Sequence, residues 1–238
     1  MRARAALRVV GHRCDVLRND PPLTFRDTPA GLHWVGSAAG PIGGDDLGLD
    51  VVLEDDASLV LSSVAASLAQ PGPDGAPSST RLTARVGAGG ELRWCPRPTV
   101  LVRGCDHRVS CEIELGPRAR LVWRDEVVLG RHAEAPGSVR QRLVIDRDGA
   151  PLLRTELVAG PRWPGSLGPA GTAGARAIGT LVLVGHPRAD ASVPPGVRLA
   201  IQELSPDALL VTALGTRSSD VTAALDALVP ARTELAAS

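Results

Sequence analysis

Apolar and polar side chains alternate with period two along much of this chain. The clearest run is 108–115, where Val109, Cys111, Ile113 and Leu115 alternate with Arg108, Ser110, Glu112 and Glu114. Successive side chains of a strand point to opposite faces, so the pattern predicts a half-buried strand. Residues 47–54 follow the same rule, with Leu47, Leu49, Val51 and Leu53 on one face and Asp50 and Glu54 on the other. In 81–86, Leu82, Ala84 and Val86 alternate with Arg81, Thr83 and Arg85. Further strands are predicted at 23–26, 31–37, 92–95, 99–103, 180–184, 198–204 and 208–214. Residues 139–145 and 152–158, joined by the turn Asp146-Arg147-Asp148-Gly149, predict a β-hairpin. The small apolar stretch 59–69 fits either a buried strand or a short helix.

One strand breaks the rule. In 120–131, Leu121, Trp123, Val127 and Leu129 share a face, and Asp125 falls on that face with them. If the face is core, the carboxylate must be paired, hydrogen-bonded, protonated or set in a wet cavity, because an isolated buried charge costs several kcal/mol. The plainer explanation is a β-bulge that shifts the phase, or an edge strand exposed on both faces.

The 26 glycines and 20 prolines are spread along the whole length, as short strands joined by turns require. Segments 70–79 and 160–174 are irregular by composition, and 39–46 is a glycine-dependent turn. Near the C-terminus, Ser218-Ser219-Asp220 offers helix caps, and Val221, Leu225, Leu228 and Val229 recur at helical spacing until Pro230. The pattern therefore predicts an all-β fold over 1–238 as a single domain. Its many short strands form two packed or helically wound sheets, with one or two short helices including a C-terminal one.

Charge narrows the function classes. Basic and acidic residues balance at 26 each, so no net field draws the chain to nucleic acid or to an anionic membrane. All 26 basic residues are Arg, which excludes a lysine Schiff base, a P-loop lysine and a lysine general base. Tyr is absent and aromatics make up 2% of the chain, against base-stacking recognition of single strands. Charges interrupt the apolar run of the first ten residues, and no stretch approaches membrane-spanning length. The expected location is the cytoplasm, where Cys14, Cys95, Cys105 and Cys111 would be free thiols.

No nucleophile elbow, Walker loop, dinucleotide-binding glycine motif or zincin motif occurs. The group with most metal character is Cys105, His107 and Cys111, since odd positions on one strand share a face and such ligands suit Ni, Cu or Zn. The competing explanation makes Cys111 a core residue and puts Cys105 and His107 in a loop. His33, next to Trp34, fits a ligand or a satisfied structural histidine, and His12, His132 and His186 lie near turns. Arg131 could clamp an acid by a bidentate contact or stand solvated at a strand end. A hydrolase would use Asp125 and Glu126 with His107 or His132, but neighbouring residues of a strand point to opposite faces.

Several blocks, in order, resemble the urease accessory protein UreD (UreH) family. They are Pro41-Ile42-Gly43-Gly44-Asp45-Asp46-Leu47, the 58–67 block, Gly90-Glu91-Leu92-Arg93-Trp94-Cys95-Pro96-Arg97-Pro98-Thr99 and Val128-Leu129-Gly130-Arg131. The hairpin 140–153 and the run 209–215 also look familial. Where the family commonly has Thr-Gln-Ala-Ala-Thr-Lys, this chain has Ser63-Val64-Ala65-Ala66-Ser67-Leu68, and a common Pro-Glu is Pro96-Arg97. The resemblance implies motif positions at Gly43, Gly44, Asp45, Trp94, Pro96, Gly130 and Arg131. It implies no catalysis and no tightly bound cofactor. It implies instead a chaperone of nickel insertion that binds apo-urease and recruits a UreF-like protein and, through it, a UreG-like GTPase. A homodimer within that heterocomplex is compatible with it. Ni²⁺ in transit would follow an internal water-filled passage, with Asp125 as an inward carboxylate on it. The remaining alternatives are a divergent β-sandwich hydrolase and a pure protein–protein scaffold without metal transit.

Overall fold

An apolar face on each strand has to be covered, and in the computed structural model the strands meet this need by facing one another across two sheets. The structure describes residues 1–28, 31–186 and 193–231. Two hairpins come first: β1 (Arg2–Val10) with β2 (Arg13–Arg18), and β3 (Leu23–Thr28) with β4 (Gly31–Gly36). Next are β5 (Asp46–Leu53), β6 (Ser58–Ser63), β7 (Ser67–Ala69), β8 (Ser78–Val86), β9 (Glu91–Cys95) and β10 (Thr99–Leu101). β11 (Asp106–Leu115), β12 (Arg120–Leu129) and the hairpin β13 (Ser138–Arg147)–β14 (Ala150–Ala159) follow. Beyond a 3₁₀ turn at Pro164–Leu167 come β15 (Ala177–Val184), β16 (Arg198–Ser205), β17 (Ala208–Gly215) and helix α1 (Ser218–Asp226).

The first sheet runs β14-β13-β11-β8-β5-β1-β2 and the second β16-β17-β15-β12-β9-β6-β4-β3. From β4 to β13 the chain passes back and forth between them. As a result β1, β5, β8, β11 and β13 are parallel neighbours in one sheet, and β4, β6, β9 and β12 in the other. The strands are therefore helically wound, each circuit adding one strand to each sheet. At the corner of the coil, β7 and β10 pair parallel with each other, and β10 pairs with residues 127–129 of β12.

The main core lies between the sheets, with Phe25, Leu61, Leu92, Leu121 and Trp123 from one side meeting Leu7, Leu47, Leu53 and Ile113 from the other. β1 is not among the strands expected from periodicity, although Ala3, Ala5, Leu7 and Val9 alternate with outward residues and are all buried. The ambiguous stretch 59–69 divides into β6 and β7. At the break, Ser63 Oγ accepts the Arg97 N–H at 2.8 Å and donates to the Ala65 carbonyl at 3.0 Å, which turns the chain. The expected C-terminal helix is present, but Ser218, Ser219 and Asp220 form its first turn rather than cap it. Arg217 holds the N-cap position with no side-chain cap. Val221, Ala224 and Leu225 of α1 bury against the outer face of the second sheet, where Gly179 leaves room: a Cβ there would lie 2.6 Å from Leu225 Cδ1.

The block 41–46 is a structural junction. The buried Asp45 carboxylate accepts the Ile42 N–H at 2.8 Å. A Cβ on Gly43 would stand 2.4 Å from the Gly72 nitrogen and 2.5 Å from the Ala76 carbonyl, so the 70–77 loop can lie on the entry to β5 only across a glycine. Gly43→Ala should therefore destabilise the fold by about 1–3 kcal/mol through overpacking, a loss measurable as a lower midpoint in denaturant unfolding.

Candidate functional site: a carboxylate between the sheets

β12 pairs with β15 in unbroken register from Leu121↔Val184 to Val128↔Ala177, and has β9 and β10 on its other side. A phase-shifting bulge and an edge position are both excluded. Asp125 therefore points inward with Trp123 and Val127, and its neighbours Arg124 and Glu126 point outward toward α1.

The parallel register sets Trp94 of β9 directly beside Trp123 of β12, and their rings stack at 5.2 Å with an interplanar angle of 14°. Trp34 of β4 continues the column at 6.5 Å from Trp94. Both inner indoles aim at the same carboxylate. Trp123 Nε1 donates to Asp125 Oδ2 at 2.7 Å, and Trp94 Nε1 donates to Oδ1 at 3.2 Å. Burial pushes the Asp125 pKa up to about 6, and the indole donors, together with Gln141, hold it below what desolvation alone would give. At pH 7 the group is thus about nine-tenths ionised.

Asp125 nevertheless keeps accessible surface, because it borders two cavities. One, of about 80 Å³, is lined by Trp34, Thr80, Trp94, Pro96, His107 and Gln141 among others, with the exposed Arg97 at its edge. The other, of about 220 Å³, is lined by Gln141, Thr155, Thr180 and Thr212 with Asp125. Each has room for several waters. In the second sheet Asp125, Thr180 and Thr212 lie on one register line, so a polar row crosses three adjacent strands inside an otherwise apolar interior. A third hollow, of about 350 Å³, shares Trp34 and Ser67 with the first and is flanked by the exposed Val64 and Leu68.

The other candidates disperse. Cys111 belongs to the core between the sheets, and Cys105, which precedes β11, to a separate cluster with Leu101, Val127 and Leu129. His107 lies in β11 rather than in a loop. Its Nδ1 shares a hydrogen bond of 2.9 Å with Ser78 Oγ, and burial lowers its pKa to about 4, so it is a neutral ring. Among the described residues no three His, Cys, Asp or Glu side chains gather to hold a metal ion. His33 is a structural histidine whose Nδ1 lies 3.0 Å from the Gly31 carbonyl and 3.1 Å from Thr28 Oγ1. Arg131 does make a bidentate contact, but with Glu134 of its own turn, at 3.0 and 2.9 Å. Gly130 adopts φ +81°, and a Cβ on it would meet the Glu134 carbonyl at 2.8 Å. His132 is exposed. Glu126, the hydrolase partner of Asp125, reaches the edge of the first cavity, yet its carboxylate accepts from Thr222 Oγ1 at 2.6 Å and pairs with Arg124 at 3.2 Å. Residues that periodicity did not single out complete the site: Gln141, Thr180 and Thr212, each a lone polar residue on an inward face.

The family model described as "UreD urease accessory protein" matches residues 6–237. The chain belongs to the UreD urease accessory protein family. Relatives carrying the name urease accessory protein UreD include one from Parafrankia sp. (strain EAN1pec), 38% identical over 96% of this chain and 88% of its own length. One from Streptomyces coelicolor is 40% identical over 84% of this chain and 82% of its own, and one from Frankia casuarinae 39% over 78% and 70%. The family is one of accessory proteins, and the other carboxylates that border the cavities of Asp125 are already paired, Glu126 with Arg124 and Glu156 with Arg140. No helix among the described residues is long and apolar enough to cross a membrane.

Asp125 also dictates a pH dependence. Its folded pKa lies above the ordinary carboxylate value, so the folded state binds the proton more tightly. The resulting stability is present below about pH 4 and is lost as pH rises through about 6, a change of about 3 kcal/mol. The buried His107, held near 4, contributes an opposite change over the same range, so the Asp125 share should appear as a difference: from pH 4 to 7 the unfolding free energy of the native protein should fall relative to that of Asp125→Asn. In Trp94→Phe, which lacks one donor to the ionised form, the midpoint should move upward.

Proposed function

We propose that this protein serves urease maturation as the component through which Ni²⁺, the cargo, passes toward apo-urease, with UreF-like and UreG-like partners on the delivering side. The observation that carries this is the character of Asp125: a carboxylate between two sheets, bordering two cavities, whose hydrogen-bond partners are the neutral donors Trp94, Trp123 and Gln141. With no Arg in contact, a cation entering the cavity supplies the missing counter-charge. One carboxylate and a row of hydroxyls attract a hydrated divalent ion without enclosing it, and in a conduit each stop must be weak enough to leave.

The hollows share lining in pairs, Trp34 and Ser67 between one pair and Asp125 and Gln141 between the other, which supports a route along all three. Arg97 stands at the edge of the middle one, where a positive charge opposes cation entry. A scaffold without transit would need none of these features, and a hydrolase would need a free acid or base beside Asp125, whereas Glu126 is held by Thr222 and Arg124 and His107 by Ser78.

Co-expression with the urease subunits and the other accessory proteins, with nickel measured in captured urease, tests the proposal. Asp125→Ala should lower nickel content and activation severalfold while capture of urease persists, and Arg97→Glu should raise the rate of activation. Full activation by Asp125→Ala would leave the scaffold role. Turnover of a substrate by the isolated protein would point to an enzyme.

A further inference from the structure

The outer face of the first sheet is built in two different ways along its length. At one end its charges are matched across strands: Arg85 with Glu114 at 2.9 Å, Arg8 with Glu54 at 2.8 Å, and Thr83 Oγ1 donating to Asp50 at 2.5 Å. Such exposed pairs add little stability, but they neutralise the surface. At the other end the register aligns like charges. Arg108 of β11 lies directly opposite Arg140 of β13, and in the next outward row Ser110 lies between Arg81 of β8 and Arg142 of β13. Like charges facing each other across a sheet are destabilising.

The available acids meet only part of this charge. Arg140 takes Glu156 at 2.9 Å. Arg108 reaches Asp106 at 3.4 Å, which Arg162 also contacts at 3.2 Å. Arg81 forms no hydrogen bond or ion pair with the described residues, and Arg142 stands opposite Glu156, whose carboxylate is hydrogen-bonded by Arg140 and gives Arg142 only a longer-range attraction; both are exposed. These four guanidinium groups, with Ser79 and Ser110, line a groove of about 330 Å³ whose two carboxylates, Asp46 and Glu156, are already engaged by Arg4 and Arg140.

We propose that this groove docks an acidic, extended segment of a partner protein. The two Arg rows are two residues apart along the strands, about 7 Å, and so match the spacing of carboxylates at alternate positions of an extended chain. Within a row, Arg81 and Arg142 stand about 10 Å apart across two strand spacings, with the Ser110 hydroxyl between them. Guanidinium forks take carboxylates bidentately, which suits this set better than lysines would. The groove is open and its charges are screened, so a single small anion gains few contacts, whereas a segment crossing both rows gains several. Single-stranded nucleic acid fits poorly, since no aromatic side chain lines the groove to stack a base, and the balanced charge of the chain gives no net field toward a duplex. The inference rests on the family's place among urease partners and is independent of the passage of nickel.

The test uses the full chain and a labelled peptide, Gly-Asp-Ser-Asp-Ser-Asp-Gly, with fluorescence anisotropy as readout. Saturable binding that weakens with salt is expected. Arg81→Gln/Arg142→Gln should weaken it about tenfold or more. A control, Arg13→Gln/Arg18→Gln on the exposed β2, should leave it unchanged. Equal loss in both double variants, no saturable binding, or displacement by low-millimolar inorganic phosphate would each overturn the proposal, the last in favour of a small-oxyanion site. Capture of urease by the unaltered chain, measured on the same preparation, shows separately whether the maturation role stands.

Discussion

Two indole N–H groups converging on one carboxylate set the terms for the interior of this protein. A charge between two sheets is tolerated only where donors replace the water it has lost, and an indole is well suited to that. It is rigid, it offers one donor, and its apolar body fills core space while its nitrogen reaches a polar partner. Trp94 and Trp123 can both reach Asp125 because the wound coil makes β9 and β12 parallel neighbours and stacks the two rings. The stack fixes the donors, the donors keep Asp125 largely ionised near neutral pH, and the ionised group keeps polar space open beside it. An apolar residue at 125 would leave both indole donors to find other acceptors in the core.

Much of the fold was legible because strand periodicity survives any topology. The run 108–115, the strand from Leu47 and the hairpin turned at Asp148-Gly149 all stand where alternation puts them. The failures have definite causes. β1 was passed over because Arg-Ala-Arg-Ala-Ala-Leu-Arg reads as an interrupted apolar run when a secretion signal is sought, although its alternation is that of a buried parallel strand. The cysteine–histidine set failed on geometry. His107 and Cys111 do share the inward face of β11, but Cys105 precedes the strand and its sulfur packs in another cluster.

The candidate site was half legible. Asp125 announced itself by breaking an apolar face, and the same signal exists at Gln141 between Val139 and Leu143, at Thr180 between Ile178 and Val182, and at Thr212 between Leu210 and Leu214. Each is a mild anomaly alone, since an amide or hydroxyl on an inward face is common. Only register shows that Thr180 and Thr212 lie on the line of Asp125 and that Gln141 faces it from the other sheet. Pairings between residues thirty or more positions apart are absent from local pattern, so the row had to come from the fold.

The two outer faces carry the argument further. The second sheet also bears charges outward, Arg124 and Glu126, but α1 covers them and supplies Thr222 and Asp226 as partners. The first sheet has no such cover over Arg81 and Arg142. A carboxylate between the sheets and guanidiniums outside are thus opposite solutions on one coil. An Arg turned inward beside Asp125 would satisfy the carboxylate permanently and remove its attraction for a passing cation. Neutral donors hold the carboxylate in place while leaving its charge uncancelled, and by favouring the ionised form they offset part of the upward shift that burial imposes. In the proposed passage of a cation, what keeps Asp125 from acting as a store is that the other acids at its cavities, Glu126 and Glu156, are already paired with Arg124 and Arg140.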